Sequence, residues 1–470
     1  MRLRPALTAL AFAFAAAPAA STGLVETWRA AAAHDPGFAA ARAAREAGQA
    51  RSRQAGALWR PQAMLEAGAG AATSENAIRG AGFAAPGFGS ATGVDFDTSI
   101  TGGTSTRYGL AVRQPLVDRE RDAQQEQLRI ASGLADLQWH SAEQDLALRS
   151  ADLFFQSALA AEQLRLLGRQ EDAALKARVE AQDRFRIGDR PITDVHEATA
   201  RAAALRARRL AAGSELEVRR ARLADFTGRP ADIQLPLPRG ALPQADIGSL
   251  ESWLERAERE NPQVRMAEAQ LLHARQETRK NDAVLSPKVD LVARLGRERL
   301  SGSGDFGRAS QTGTQHSIGV QLSVPLYTGG MRSARHDESL ALAQQASAEL
   351  EQVRQQAAQQ TRAAWLDLRV GLEKTAALEA GLAASSARLD ATRTGVQAGD
   401  RTTLDLLNAQ NDAAEAELAL VQARVQLIML RLRLAAMTGA LGEADLAAVD
   451  GLLGSVPATV AGTAPASSGR

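Results

Sequence analysis

Long stretches of helical periodicity, interrupted twice by short alternating segments, dominate the chain. From Pro115 to Pro191 no proline intervenes, and Leu128, Leu134, Leu137, Leu148, Phe155, Leu159, Leu166 and Val179 recur at helix-packing spacings. About seventy residues at 1.5 Å each make a rod of roughly 100 Å, several times an ordinary globular helix. Gly188 suits a left-handed cap at its end, and Pro191 or Thr193 restarts a second helix to about Phe226. Ahead of the rod, residues 24–58 read as helix ending before Pro61. Residues 62–72 and 104–116 read as strands, with a Gly/Ala/Ser-rich loop between them. The second half gives helix over 250–284, strands over 288–295 and 316–326, a long helix over 331–396 and a shorter one over 402–437. Thr402 and Asp405 stand at capping-box spacing where that last helix begins.

The halves are copies. Gly188-Asp189-Arg190 and Gly399-Asp400-Arg401 are 211 positions apart (399 − 188), as are Asp194 and Asp405, and Thr227-Gly228 and Thr438-Gly439. Pro115 matches Pro325 at 210, whereas Asp35-Pro36 with Asn261-Pro262, and Pro61 with Pro287, keep 226. The first copy therefore carries some fifteen extra residues between Pro61 and Pro115. Such a fixed period marks a duplicated structural unit. The expected plan is a first repeat over 24–229, a Pro-rich linker over 230–249, a second repeat over 250–455 and a disordered tail over 456–470. Residues 1–19 are set aside as a secretory signal peptide: Arg2 and Arg4, an apolar run from Ala6 to Ala17, and an Ala17-Pro18-Ala19 cleavage pattern.

In the alternating segments, Ile318, Val320, Leu322 and Val324 oppose Ser317, Gly319, Gln321 and Ser323. Tyr108, Leu110 and Val112 oppose Arg107, Gly109, Ala111 and Arg113, and Val289, Leu291, Ala293 and Leu295 oppose Lys288, Asp290, Arg294 and Gly296. Amphipathic hairpins on a soluble core would give this pattern; so would strands with one face in lipid. Composition shifts the balance. Only 4% of 470 residues are aromatic, too few for large globular cores, and the chain is rich in helix-forming residues. No run of eighteen apolar residues follows the leader, so no transmembrane helix is expected. An exported chain of this kind fits a membrane β-barrel joined to helical rods. Four strands cannot close such a barrel, and lipid does not tolerate open edges. Three copies would supply twelve strands; the arithmetic alone leaves a dimer open.

The balance of 55 Lys+Arg against 54 Asp+Glu argues against a nucleic-acid partner. The absence of Cys excludes a disulfide scaffold, a thiolate metal site, a Cys nucleophile and a lipoprotein cysteine. His34, His140, His196, His273, His316 and His336 form no HExxH or close pair, and there is no Walker A loop or GxSxG. Glycine-rich residues 68–103 lack the strand-to-helix setting of a nucleotide site and read as a surface loop. The reading is therefore no enzyme, no catalytic residues, no metal and no cofactor.

Two halves with this element order, the twin motifs Phe185-Arg-Ile-Gly-Asp-Arg-Pro-Ile-Thr-Asp-Val195 and Gly399-Asp-Arg-Thr-Thr-Leu-Asp-Leu406, and also Val324-Pro-Leu-Tyr-Thr-Gly-Gly330 and Thr438-Gly-Ala-Leu441, resemble the TolC family over residues 24–453. The resemblance implies a mainly α fold with a small β part: four transmembrane strands and long coiled-coil-like helices per protomer. It further implies a homotrimer with a 12-stranded β-barrel on a periplasmic α-barrel. Its partners would be outer-membrane lipid, a periplasmic adaptor and an inner-membrane pump, ABC or other. It would lie in the Gram-negative outer membrane and extend into the periplasm. By the same resemblance Asp405 rings the closed entrance, and a second ring position falls on Asn408, a departure that removes charge there. Asp412 shares the face (i, i+3, i+7) as a second source of charge. Arg401, Thr193 and Asp194 match latch positions, while a family tyrosine falls on Val396. The plainer alternative for Asp194 and Asp405 is acidic residues favoured at helix N-termini. Three like charges around an axis should raise carboxylate pKa values and attract cations. The missing lipoprotein Cys leans toward the type I protein-secretion branch. The alternatives are multidrug efflux and a periplasmic coiled-coil adaptor or structural rod.

Overall fold

The computed structural model describes residues 23–87, 89–189, 191–230, 235–238, 247–304 and 307–453. The leader over 1–19, the tail over 456–470 and most of the linker lie outside these residues. The element order is α1 (Leu24–His34), α2 (Pro36–Ala57), β1 (Gln62–Ala85), β2 (Gly89–Val117), α3 (Arg119–Arg186) and α4 (Ile192–Thr227). The second half follows with α5 (Leu250–Glu260), α6 (Pro262–Asp282), β3 (Lys288–Gly304), β4 (Gly307–Ser323), α7 (Met331–Ala398), α8 (Thr403–Met437) and α9 (Glu443–Asp450). Both α3 and α7 run for 68 residues, about 100 Å at helical rise.

The expected first helix of each half is split, at Asp35 and Asn261. The residue before a proline is pushed into extended backbone, and each of these two then caps the helix that follows. Asp35 Oδ2 accepts from Phe38 N at 3.1 Å, and Asn261 Oδ1 accepts from Gln263 N and Val264 N at 2.9 and 3.3 Å. Proline at the first helical position completes the restart.

The chain forms two compact units, each drawing on both halves. One comprises the described residues up to Arg45, within Leu137–Met266 and from Gln352 on; the other comprises those within Glu46–Asp136 and Ala267–Glu351. In the first unit, Leu146, Ala151, Phe154, Phe155, Ile428, Leu434 and Leu446 are almost wholly buried, with the two phenylalanine rings edge-on at 5.3 Å. Linker residues 235–238 are not mere spacer, because Leu237 and Pro238 are buried and Leu237 joins this core. Asp450, at the end of α9, reaches back to the start of the chain: its carboxylate accepts from Leu24 N at 2.5 Å and Val25 N at 3.0 Å. It caps α1, whose own cap residue, Gly23, has no side chain to do so.

The second unit holds one antiparallel sheet in the order β1-β2-β3-β4. The strands are longer than the alternation indicates, and glycine-rich residues 68–103 are not a loop: they form most of β1 and the start of β2, paired from Gln62↔Arg113 to Ala85↔Gly89 with bulge-like shifts near Ala72 and Ala81. The extra residues of the first copy lengthen this hairpin. Beyond Thr101↔Ser303, β2 leaves β3 behind and pairs with β1 alone. Leu65, Leu110, Leu295, Ile318, Val320 and Leu322 share one strongly exposed apolar face. The opposite face carries Glu66, Arg113, Asp290 and Gln321, with Arg113 ion-paired to a nearly buried Asp290. No helix among the described residues is long and apolar enough to cross a membrane.

Candidate gate at the paired helical turns

The two long helices end in matching turns. At the end of α3, Gly188 adopts φ +81°, its N–H donates to Phe185 O, and Asp189 N donates to Arg184 O, both at 2.9 Å. At the end of α7, Gly399 adopts φ +87°, its N–H reaches Val396 O at 3.2 Å, and Asp400 N reaches Gly395 O at 2.9 Å. These are equivalent residues, 211 apart, and the left-handed backbone they need is cheap for glycine.

The helices restart differently. Thr402 caps α8 with a full capping box: its hydroxyl accepts from Asp405 N at 3.1 Å, and Asp405 Oδ2 accepts from Thr402 N at 2.9 Å and Thr402 Oγ1 at 2.8 Å. The bond from the Thr402 backbone, then that from its hydroxyl, then the nearby charge of Arg401 hold the Asp405 carboxyl below the usual carboxylate range. Within one chain this direction is opposite to the rise expected of a carboxylate ring. At α4 the equivalent of Thr402 is Pro191, which offers no side-chain cap. Among the described residues, Asp194 there takes a long 3.5 Å contact from the Thr193 hydroxyl.

Of the remaining site residues, Asn408 is exposed one turn beyond Asp405. Asp412 is ion-paired with Arg388 of α7. Within one chain, among the described residues, no bond joins Arg401 to Thr193 or Asp194. What brings the turns to the same end is packing: Leu407 of α8 is buried with Ala174 and Ala177 of α3 and Ala202 and Leu205 of α4. Higher up, Glu417 of α8 takes Arg165 at 3.2 Å and Arg169 at 2.8 Å from α3, and Arg424 meets Glu379 of α7 at 2.7 Å. Arg388 escapes a motif-based reading, yet one signal does locate it. It stands as far before Asp400, at the turn, as Asp412 stands after it, so an antiparallel hairpin brings the two together.

This geometry provides no group of His, Asp and Glu able to hold a metal among the described residues. It provides a sheet with one apolar face, and helical hairpins whose turns present charge. The family model described as outer membrane efflux protein matches residues 28–229 and 253–440. The chain belongs to the outer membrane efflux protein family. It is similar to the proteases secretion protein PrtF of Dickeya chrysanthemi, at 29% identity over 95% of this chain and 94% of that one. It is also similar to outer membrane protein TolC of Escherichia coli, at 25% identity over 69% and 67%. The solved structure of the outer membrane protein VceC from Vibrio cholerae shares the fold, with a TM-score of 0.66 over 88% of this chain and 96% of that one at 19% identity. This efflux-family chain is an outer-membrane export channel protein.

Proposed function

We propose that the chain works as a homotrimer in which twelve strands close a barrel in the outer membrane and the long helices form a periplasmic α-barrel. The trimer is a passive conduit with no catalytic chemistry of its own, and each protomer is a duplicated unit. The observation that carries this reading is the sheet itself. It has an apolar face fit for lipid, a polar face fit for water, and two outer edges, on β1 and β4, that need partners. A periplasmic adaptor and an inner-membrane pump deliver cargo to the paired turns. There Asp405 forms the charged ring, and Arg401, Thr193 and Asp194 act between neighbouring helices as the latch. Asn408 adds no charge, and Asp412, held by Arg388, does not replace the second ring. The cargo is a protein, exported by a type I system, a reading supported by end-to-end similarity to a protein named for protease secretion. Deleting the gene should abolish export of the pump's protein substrate and leave drug susceptibility unchanged. Gained drug sensitivity with export intact would move the assignment to small-molecule efflux. Extraction in detergent should yield a heat-sensitive trimer; a soluble monomer would return the chain to the adaptor or structural reading.

A further inference from the structure

The repeat specifies what fits the two open sheet edges. β1 and β3 are related by 226 positions (288 − 62) and β2 and β4 by 210 (323 − 113). Applied to the first hairpin, these shifts carry the pair Gln62↔Arg113 onto Lys288↔Ser323 and Gly68↔Arg107 onto Arg294↔Ser317. Both are pairs of the second hairpin. The two hairpins are thus registered alike, residue for residue. The β2–β3 seam joins the second strand of one hairpin to the first strand of the next. In a closed ring of hairpins, β4 of one copy meets β1 of the next in that same relation. Shifting the seam pair Gly109↔Gly296 gives Gly319 opposite Gly70; shifting Ala111↔Arg294 gives Gln321 opposite Gly68.

We propose that β4 of one copy pairs antiparallel with β1 of a second copy in this register, Gly319 against Gly70 and Gln321 against Gly68. The proposal rests on the trimeric reading above and adds its residue-level seam. Two features support it independently of the shift. The first is facing: the register sets Val320 beside Ala69 and Leu322 beside Ala67, extending the apolar face across the junction. A slip of one residue would put each strand's apolar set against its neighbour's polar one. The second is close approach. At the internal seam, a Cβ on Gly109 would lie 3.1 Å from Leu295 O and 3.5 Å from Gly296 Cα. Glycine also occupies both symmetry-related positions, 70 and 319, although within one chain a Cβ at either would meet nothing within 4 Å. A neighbouring copy supplies the missing backbone.

The natural chain has no cysteine, so introduced pairs are read without background. Gln321→Cys is combined in turn with Met64→Cys, Glu66→Cys, Gly68→Cys and Gly70→Cys in the full chain, oxidised in outer-membrane vesicles and run without reductant. A disulfide needs Cα atoms within about 7 Å, so covalent dimers and trimers should peak several-fold at Gly68→Cys. Ala111→Cys with Arg294→Cys occupies the symmetry-related place inside one chain, and its intrachain bond reports a folded sheet. A peak at 64, 66 or 70 overturns the register. So does a detergent-stable trimer that links at none of the four while the intrachain bond forms; both results leave the trimer standing. A chain that stays monomeric in detergent with the intrachain bond formed overturns the trimeric reading as well.

Discussion

Thr402 and Pro191 occupy the same place in the two repeats, and the exchange of a hydroxyl for a ring decides how the carboxylate three residues on is used. Asp405 is tied into its own helix start, whereas among the described residues Asp194 takes the Thr193 hydroxyl at 3.5 Å and no capping box forms. Because the folded-state pKa of Asp405 lies below its ordinary value, the capping contribution is complete at neutral pH and disappears as pH falls through that lowered pKa. Thr402→Ala should move this loss to higher pH and speed hydrogen exchange in the first turn of α8 at neutral pH, read by mass spectrometry of the peptide spanning residues 400–410. In planar bilayers, Asp405→Asn should reduce cation selectivity several-fold, whereas removing the Arg388–Asp412 pair together (Arg388→Gln with Asp412→Asn) should change it little, since the two charges cancel. An equal effect of both would restore a double ring. The capping box was legible in the sequence because its partners lie three residues apart. The Arg388–Asp412 pair carries no motif and is found only by counting equal steps out from the turn at Asp400.

The long helices α3 and α7 and the four strands can be read from periodicity, but the strand ends cannot. Alternating hydrophobicity reports a face held against lipid or a core. It does not report hydrogen bonding, and past Thr101↔Ser303 the β1–β2 ribbon, rich in Gly, Ala and Ser, pairs only with itself. Its small polar residues therefore looked like loop although each strand satisfies the backbone of the other. Excising residues 83–92, which pair with neither β3 nor, in the register above, a neighbouring β4, should leave a detergent-stable trimer of unchanged heat sensitivity on gels. The breaks at Asp35 and Asn261 were also missed as helix ends, although the Pro that follows each was noted; the periodicity runs through them while the backbone does not. In the core the cost of error is larger. Phe154, wholly buried, should lose about 3–5 kcal/mol on substitution by Ala, measured as a fall in the denaturant midpoint of the detergent-solubilised protein.

The low aromatic content has a cause at the scale of the whole molecule. The buried residues are mostly Ala and Leu, which pack long helices side by side without a large central core. Another apolar surface is the exposed sheet face, where Val320 is 65% accessible. Val320→Arg should cost about 2–4 kcal/mol if it lies near mid-bilayer, seen as reduced trimer in the outer-membrane fraction, whereas Gln321→Arg on the opposite face should assemble normally. The hold of Asp450 on Leu24, across 426 residues, reaches beyond stability into biogenesis. Ordering contacts of such sequence separation come late in folding, and here the two partners stand 426 residues apart. The start of α1 therefore stays uncapped until the chain has been made through Asp450, so its first helix closes only after α9 exists.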